Sequence, residues 1–89
     1  MKRYKLRIKG KVQGVWYRAS ARRKAEELSL SGFVRNEADG SVYAEAEGDE
    51  EALQAFVRWC KQGPEMARVE KVDVEEAPLR GSELFEVQR

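Results

Sequence analysis

A two-layer α+β fold in the order βαββαβ, with an antiparallel sheet and two helices on one of its faces, is predicted for these 89 residues by three observations. Several stretches alternate apolar and charged residues at a period of two, two others carry apolar residues at helical spacing, and an Asp-Gly pair separates two of the alternating runs. A chain this short supports one modest core, so residues 1–89 are read as a single domain.

The first strand is announced by Tyr4, Leu6, Ile8, Gly10 and Val12 alternating with Lys5, Arg7, Lys9 and Lys11, which makes its outer face entirely cationic. A helix is expected from about Arg18 to Leu30, because Tyr17, Ala21, Ala25 and Leu28 recur at spacings of four, four and three, with Gly32 as its C-terminal stop. Phe33 to Asn36 and Ser41 to Glu47 flank Asp39-Gly40 and form a hairpin, with Val42, Ala44 and Ala46 directed inward. Asp49 is placed to cap a second helix, whose early Glu50 and Glu51 complement the dipole and whose Leu53, Phe56, Val57, Trp59 and Cys60 face the core; Gly63-Pro64 ends it. Val72 and Val74 belong to a fourth strand, in which the out-of-phase Val69 calls for a bulge or a late start. Leu84, Phe85 and Val87 have the composition to add a short final strand.

That order is the split βαβ, or ferredoxin-like, arrangement. It places the first strand between the third and fourth, so its cationic face lies between Glu45 and Glu47 on one side and Asp73 and Glu75 on the other. This lattice is expected on the open face of the sheet, where each exposed pair contributes only about 0–1 kcal/mol.

Composition excludes much chemistry. There is no histidine and one cysteine, Cys60, so neither a Ser-His-Asp triad, a Cys-His pair, a His-ligated metal nor an internal disulfide is available. Cys60 is read as a small core residue, in keeping with a reducing, cytoplasmic setting. The formal net charge is +1, which supplies no global field toward nucleic acid or an anionic membrane, so any cationic function must be local. No apolar run approaches the ~20 residues of a membrane span, and a soluble, unprocessed monomer is expected.

The local cationic feature is the run from Gly10 to Arg18, eighteen positions before the only asparagine, Asn36. A glycine-containing loop entering a helix exposes backbone N–H groups, and an arginine there adds a permanent forked cation, a combination suited to phosphate. Arg18 faces the positive end of the helix dipole, at a cost of a few tenths to ~1 kcal/mol, whereas Arg22 and Arg23 have Glu26 and Glu27 four residues on. Such local violations concentrate at functional sites. The fold brings the loop and the Asn36 end of the second strand to the same end of the molecule, where the asparagine is able to position a water.

Gly10-x-Val12-Gln13-Gly14-Val15-x-Tyr17-Arg18 resembles the signature loop of the acylphosphatases, and Gly32-Phe33-Val34-Arg35-Asn36 with Asp39-Gly40-Ser41-Val42 resembles their second motif. The resemblance extends over nearly the whole chain. It implies a ferredoxin-like enzyme that hydrolyses an acyl phosphate to a carboxylate and inorganic phosphate with no metal or other cofactor. By that likeness Arg18 is the phosphate-binding arginine, Asn36 orients the attacking water, and the phosphate is bound along Gln13, Gly14, Val15, Trp16, Tyr17 and Arg18. Trp16 departs from the small or varied residue associated with its position, which bears on substrate access.

Two rival readings are weaker. An RNA-binding sheet needs aromatic side chains on the open faces of the first and third strands, where only Tyr43 is found among Lys, Arg and Glu. An anion-sensing domain without turnover has no evident use for both Arg18 and Asn36.

Overall fold

The computed structural model describes residues 1–89 and contains, in chain order, β1 (Lys2–Lys11), α1 (Tyr17–Glu27), β2 (Ser31–Asn36), β3 (Val42–Gly48), α2 (Glu50–Gln62), β4 (Arg68–Ala77) and β5 (Phe85–Val87). The strands form one sheet in the order β4-β1-β3-β2-β5, antiparallel except for the parallel β2 and β5 pair. β1 therefore lies between β3 and β4, with Lys5 opposite Glu45 on one side and Glu75 on the other. The phase of Val69 is explained by a bulge: Lys9 faces Lys71 but Gly10 faces Val69, which leaves Glu70 as the extra residue.

Both helices pack on one face, α1 over β2 and β5 and α2 over β1, β3 and β4. The core joins Leu6, Ile8, Val34, Val42, Ala44 and Ala46 of the sheet to Tyr17, Ala21 and Ala25 of α1 and Leu53, Phe56 and Cys60 of α2. Burial pushes the Cys60 thiol up to about 12, so it is a neutral, small apolar group. No helix is long and apolar enough to cross a membrane.

Tyr17 ties the two helices together. Pro64, four residues beyond Cys60, has no N–H to offer the Cys60 carbonyl, and the buried Tyr17 hydroxyl donates to that carbonyl at 2.7 Å instead. Burial raises the phenol well above its usual value, which keeps it protonated and donating. Tyr17→Phe is accordingly expected to lower stability by about 1–2 kcal/mol, because it strands a buried acceptor. An unchanged urea midpoint would show that the hydroxyl is dispensable.

The structure corrects several expectations. α1 ends at Glu27, earlier than expected, because Ser29 adopts a left-handed conformation (φ 57°) while the Leu30 N–H donates to Ala25 O and the Ser29 N–H to Glu26 O. Those two bonds complete a Schellman stop with serine in the place glycine usually takes. Gly32 lies inside β2, where a Cβ would stand 1.9 Å from Glu45 O, so its glycine serves close strand approach. Asp49 occupies the N-cap of α2 without a side-chain capping bond, and Arg22 pairs with Glu26 whereas Glu27 pairs with Lys24.

A further correction concerns the charge lattice. β4 and β5 lie at opposite edges of the sheet, so residues 78–84 must cross its outer face. They bury part of the lattice: Arg3 is 1% exposed, Glu45 8% and Glu47 4%. Arg3 donates to Glu45 at 2.7 Å, to Glu47 at 3.2 Å and to Ser82 Oγ at 3.1 Å, while Glu47 accepts the N–H groups of Arg80 and Gly81 at 2.7 and 3.0 Å. The crossing delivers Phe85 to the core edge-on to Phe56, and it makes β5 the outer neighbour of β2. Leu84 stays outside the strand with its side chain exposed, although its carbonyl accepts the Gly32 N–H.

Candidate active site

The loop from Val12 to Trp16 is held at three points. Val12 and Val15 bury their side chains in the core, and Gln13 Nε2 donates to the carbonyls of Glu37 and Ser41 at 2.8 and 2.9 Å, fastening the loop to the β2–β3 turn. Between these anchors Gly14 turns through φ 74°. Trp16 then enters α1 as its N-cap, itself left-handed at φ 66°. The path leaves the N–H groups of residues 13–19 without an acceptor anywhere in the chain. The N-cap has no side-chain capping bond and the first turn has no acidic residue, so nothing within the chain offsets the positive end of α1.

Arg18 stands at this helix start. Arg3, Arg7, Arg22, Arg35 and Arg80 each have a carboxylate partner; Arg18 has none, and neither do Arg23, Arg58, Arg68 and Arg89, none of which is in the first turn of α1. Its Nη1 instead donates to the carbonyl of Gln88 at 2.7 Å, just beyond β5, which holds the guanidinium without neutralising it. At the end of β2, neighbour of β5, Asn36 carries the one buried side-chain oxygen, Oδ1, that lacks a hydrogen-bond partner. A buried amide oxygen left so costs about 1–3 kcal/mol unless a water or ligand donates to it.

These groups share a cavity of about 360 Å³. Gly14, Trp16, Tyr17, Arg18 and Asn36 line it, all residues singled out from the sequence. Gln13 and Val15 are placed differently, for their side chains are committed to the hairpin and the core, and only their N–H groups remain for a ligand. Val12, Ala19 and Val87 complete the wall, and Gln88 supplies the carbonyl that holds Arg18. Sequence reading assigned none of these four to the site, although Val12 stands within the loop motif itself. Ala19 is one position from Arg18 and was within reach of the loop pattern, but nothing local signals that the last strand closes the site.

The sheet order, the two helices on one face and this loop coincide with a known family: the acylphosphatase model matches residues 4–87. The chain belongs to the acylphosphatase family. An acylphosphatase of Methylococcus capsulatus is 54% identical over 81 residues, covering 91% of this chain and 88% of its own length. One of Thermus thermophilus is 53% identical over 81 residues, covering 88% and 92%. The crystal structure of acylphosphatase from Bacillus subtilis superposes with a TM-score of 0.97 at 37% identity, over 100% of both chains. The ferredoxin-like architecture is thus the acylphosphatase fold, and the cavity lies at the loop through which the sequence resembles that family.

Proposed function

We propose that the protein, acting as one domain of residues 1–89, hydrolyses acyl phosphates to a carboxylate and inorganic phosphate. The observation that carries this reading is the pairing, in one cavity, of an uncompensated donor set with an orphan acceptor. The free N–H groups of the loop and the unpaired Arg18 are complementary to the peripheral oxygens of a phosphoryl group, and Asn36 Oδ1 is suited to hold a water.

In the proposed mechanism the N–H groups of Gln13 to Arg18 and the Arg18 guanidinium bind the phosphoryl oxygens, where charge accumulates in a loose transition state. Asn36 accepts a hydrogen bond from water and directs its oxygen at phosphorus. The new P–O bond forms as the bond to the acyl oxygen breaks, and the electron pair leaves with the carboxylate. Because the conjugate acid of that leaving group has a pKa of ~4, departure needs no proton donor, consistent with a chain that has no histidine. Asn36 is not a base at neutral pH, so the water proton passes to a phosphate oxygen. No step calls for a metal or other cofactor.

The test is hydrolysis of benzoyl phosphate in EDTA, with folding followed by circular dichroism. Turnover by the native chain, with kcat lowered about 10²-fold in Asn36→Ala, is the expected outcome for loss of a group that orients the nucleophile. KM should change less, because Asn36 is not among the phosphate donors. A folded native chain that binds inorganic phosphate but turns nothing over would favour an anion-binding regulatory domain.

A further inference from the structure

Trp16 is placed at some cost. Its indole is 79% exposed, the most exposed large apolar side chain of the molecule, and its backbone is left-handed at φ 66°, a region that bulky residues rarely enter. Glycine would satisfy that backbone without strain and without presenting an aromatic ring to water. A position that is unfavourable on both counts, at the mouth of a cavity, points to a ring that gains something when the cavity is filled.

The rest of the wall shows what would fill it. Val12, Ala19 and Val87 are apolar, and Arg18 is the only charged residue of the lining. One cation and the loop amides are taken up by the phosphoryl group, so an acyl group seated beside it meets valine, alanine and indole and finds no second positive charge. A volume of about 360 Å³ is at the small end of ligand pockets, enough for a phosphoryl group together with an acyl group of aromatic size.

We infer that Trp16 forms the wall of an acyl subsite and selects acyl phosphates whose acyl group is apolar, flat or branched, and free of charge. This rests on the hydrolase reading above and adds to it a substrate class and the residue that sets it. A small acyl group such as acetyl would leave the indole in water. An acyl group with its own anion would be desolvated against apolar side chains without a partner.

The experiment compares kcat/KM for benzoyl phosphate and acetyl phosphate in the native chain, Trp16→Gly and Trp16→Phe. Glycine suits the left-handed N-cap, and removing a ring that buries the acyl group should lower the benzoyl-to-acetyl ratio about tenfold. Phenylalanine should retain most of the ratio. A ratio unmoved in Trp16→Gly, with turnover still dependent on Arg18, would overturn the subsite while leaving the hydrolase reading intact; turnover of neither substrate by the native chain would overturn both. Inhibition of the native chain needs no variant: benzylphosphonate should bind about tenfold more tightly than methylphosphonate, and equal inhibition constants would count against the subsite.

Discussion

Arg18→Ala is expected to lower kcat/KM for benzoyl phosphate by at least about a hundredfold, or roughly 3 kcal/mol of transition-state stabilisation, with little change in stability. The activity loss follows from what surrounds the side chain. Arg18 is the only charged residue of the cavity, and it has no carboxylate to share its charge. The small effect on stability follows from what Arg18 does not do: it makes one hydrogen bond, to a backbone carbonyl, and it opposes the dipole of the helix it begins. Arg18→Lys separates charge from geometry. A lysine keeps the cation but loses the fork that donates to Gln88 while facing phosphate, so it should recover only part of the activity. A folded Arg18→Ala chain that retained most of its turnover would exclude phosphate binding by this residue.

The largest stability effect is expected at Arg3. Arg3→Ala removes the cation between two buried carboxylates, and breaking a buried pair in this way costs about 3 kcal/mol, against a total of about 5–15 kcal/mol for a domain of this kind. Lys5→Ala, two positions along the same strand but exposed, should change stability by less than about 0.5 kcal/mol. Guanidinium midpoints of both variants test the contrast, and similar values would mean that residues 78–84 do not hold the cluster in a dry state.

The same cluster has a pH signature. Burial alone would raise the Glu45 carboxyl, but hydrogen bonds from Tyr43 and Arg3 outweigh it and hold the carboxyl below its usual range. Glu47 is also held low, first by the Arg80 N–H and then by Arg3 and the Gly81 N–H, against an opposing contribution from burial. Both groups therefore bind fewer protons folded than unfolded. Their contribution to stability is present above the ordinary carboxylate range and is lost as pH falls through the lowered folded values. Arg3→Ala should flatten this acid limb, because the cation that favours the ionised forms is gone.

The strand order was legible in the sequence because strict alternation assigns each residue a face, and the cationic face of β1 needs acidic neighbours on both sides. The loop from Val12 to Trp16 was legible because it is one continuous segment, and its placement opposite Asn36 follows from a connection rule. The stop of α1 was misplaced for a local reason. Glycine is the usual left-handed residue, and Gly32 drew the assignment away from Ser29, where the chain turns. The lattice was misjudged for a non-local reason, since whether an ion pair is exposed depends on what crosses above it.

The amino-acid sequence by itself determined the layers, the strand order, the family and the loop with its arginine and asparagine, because each rests on periodicity or on a contiguous motif. Tertiary structure decided which groups are left unpaired. That Arg18 is held by Gln88, seventy residues away, that Asn36 Oδ1 has no donor, and that Arg3 is sealed beneath residues 80–82 depend on a last strand placed beside β2 by a crossing of the sheet. Pairing and burial of polar groups are properties of contacts between distant segments, and local periodicity carries no record of them.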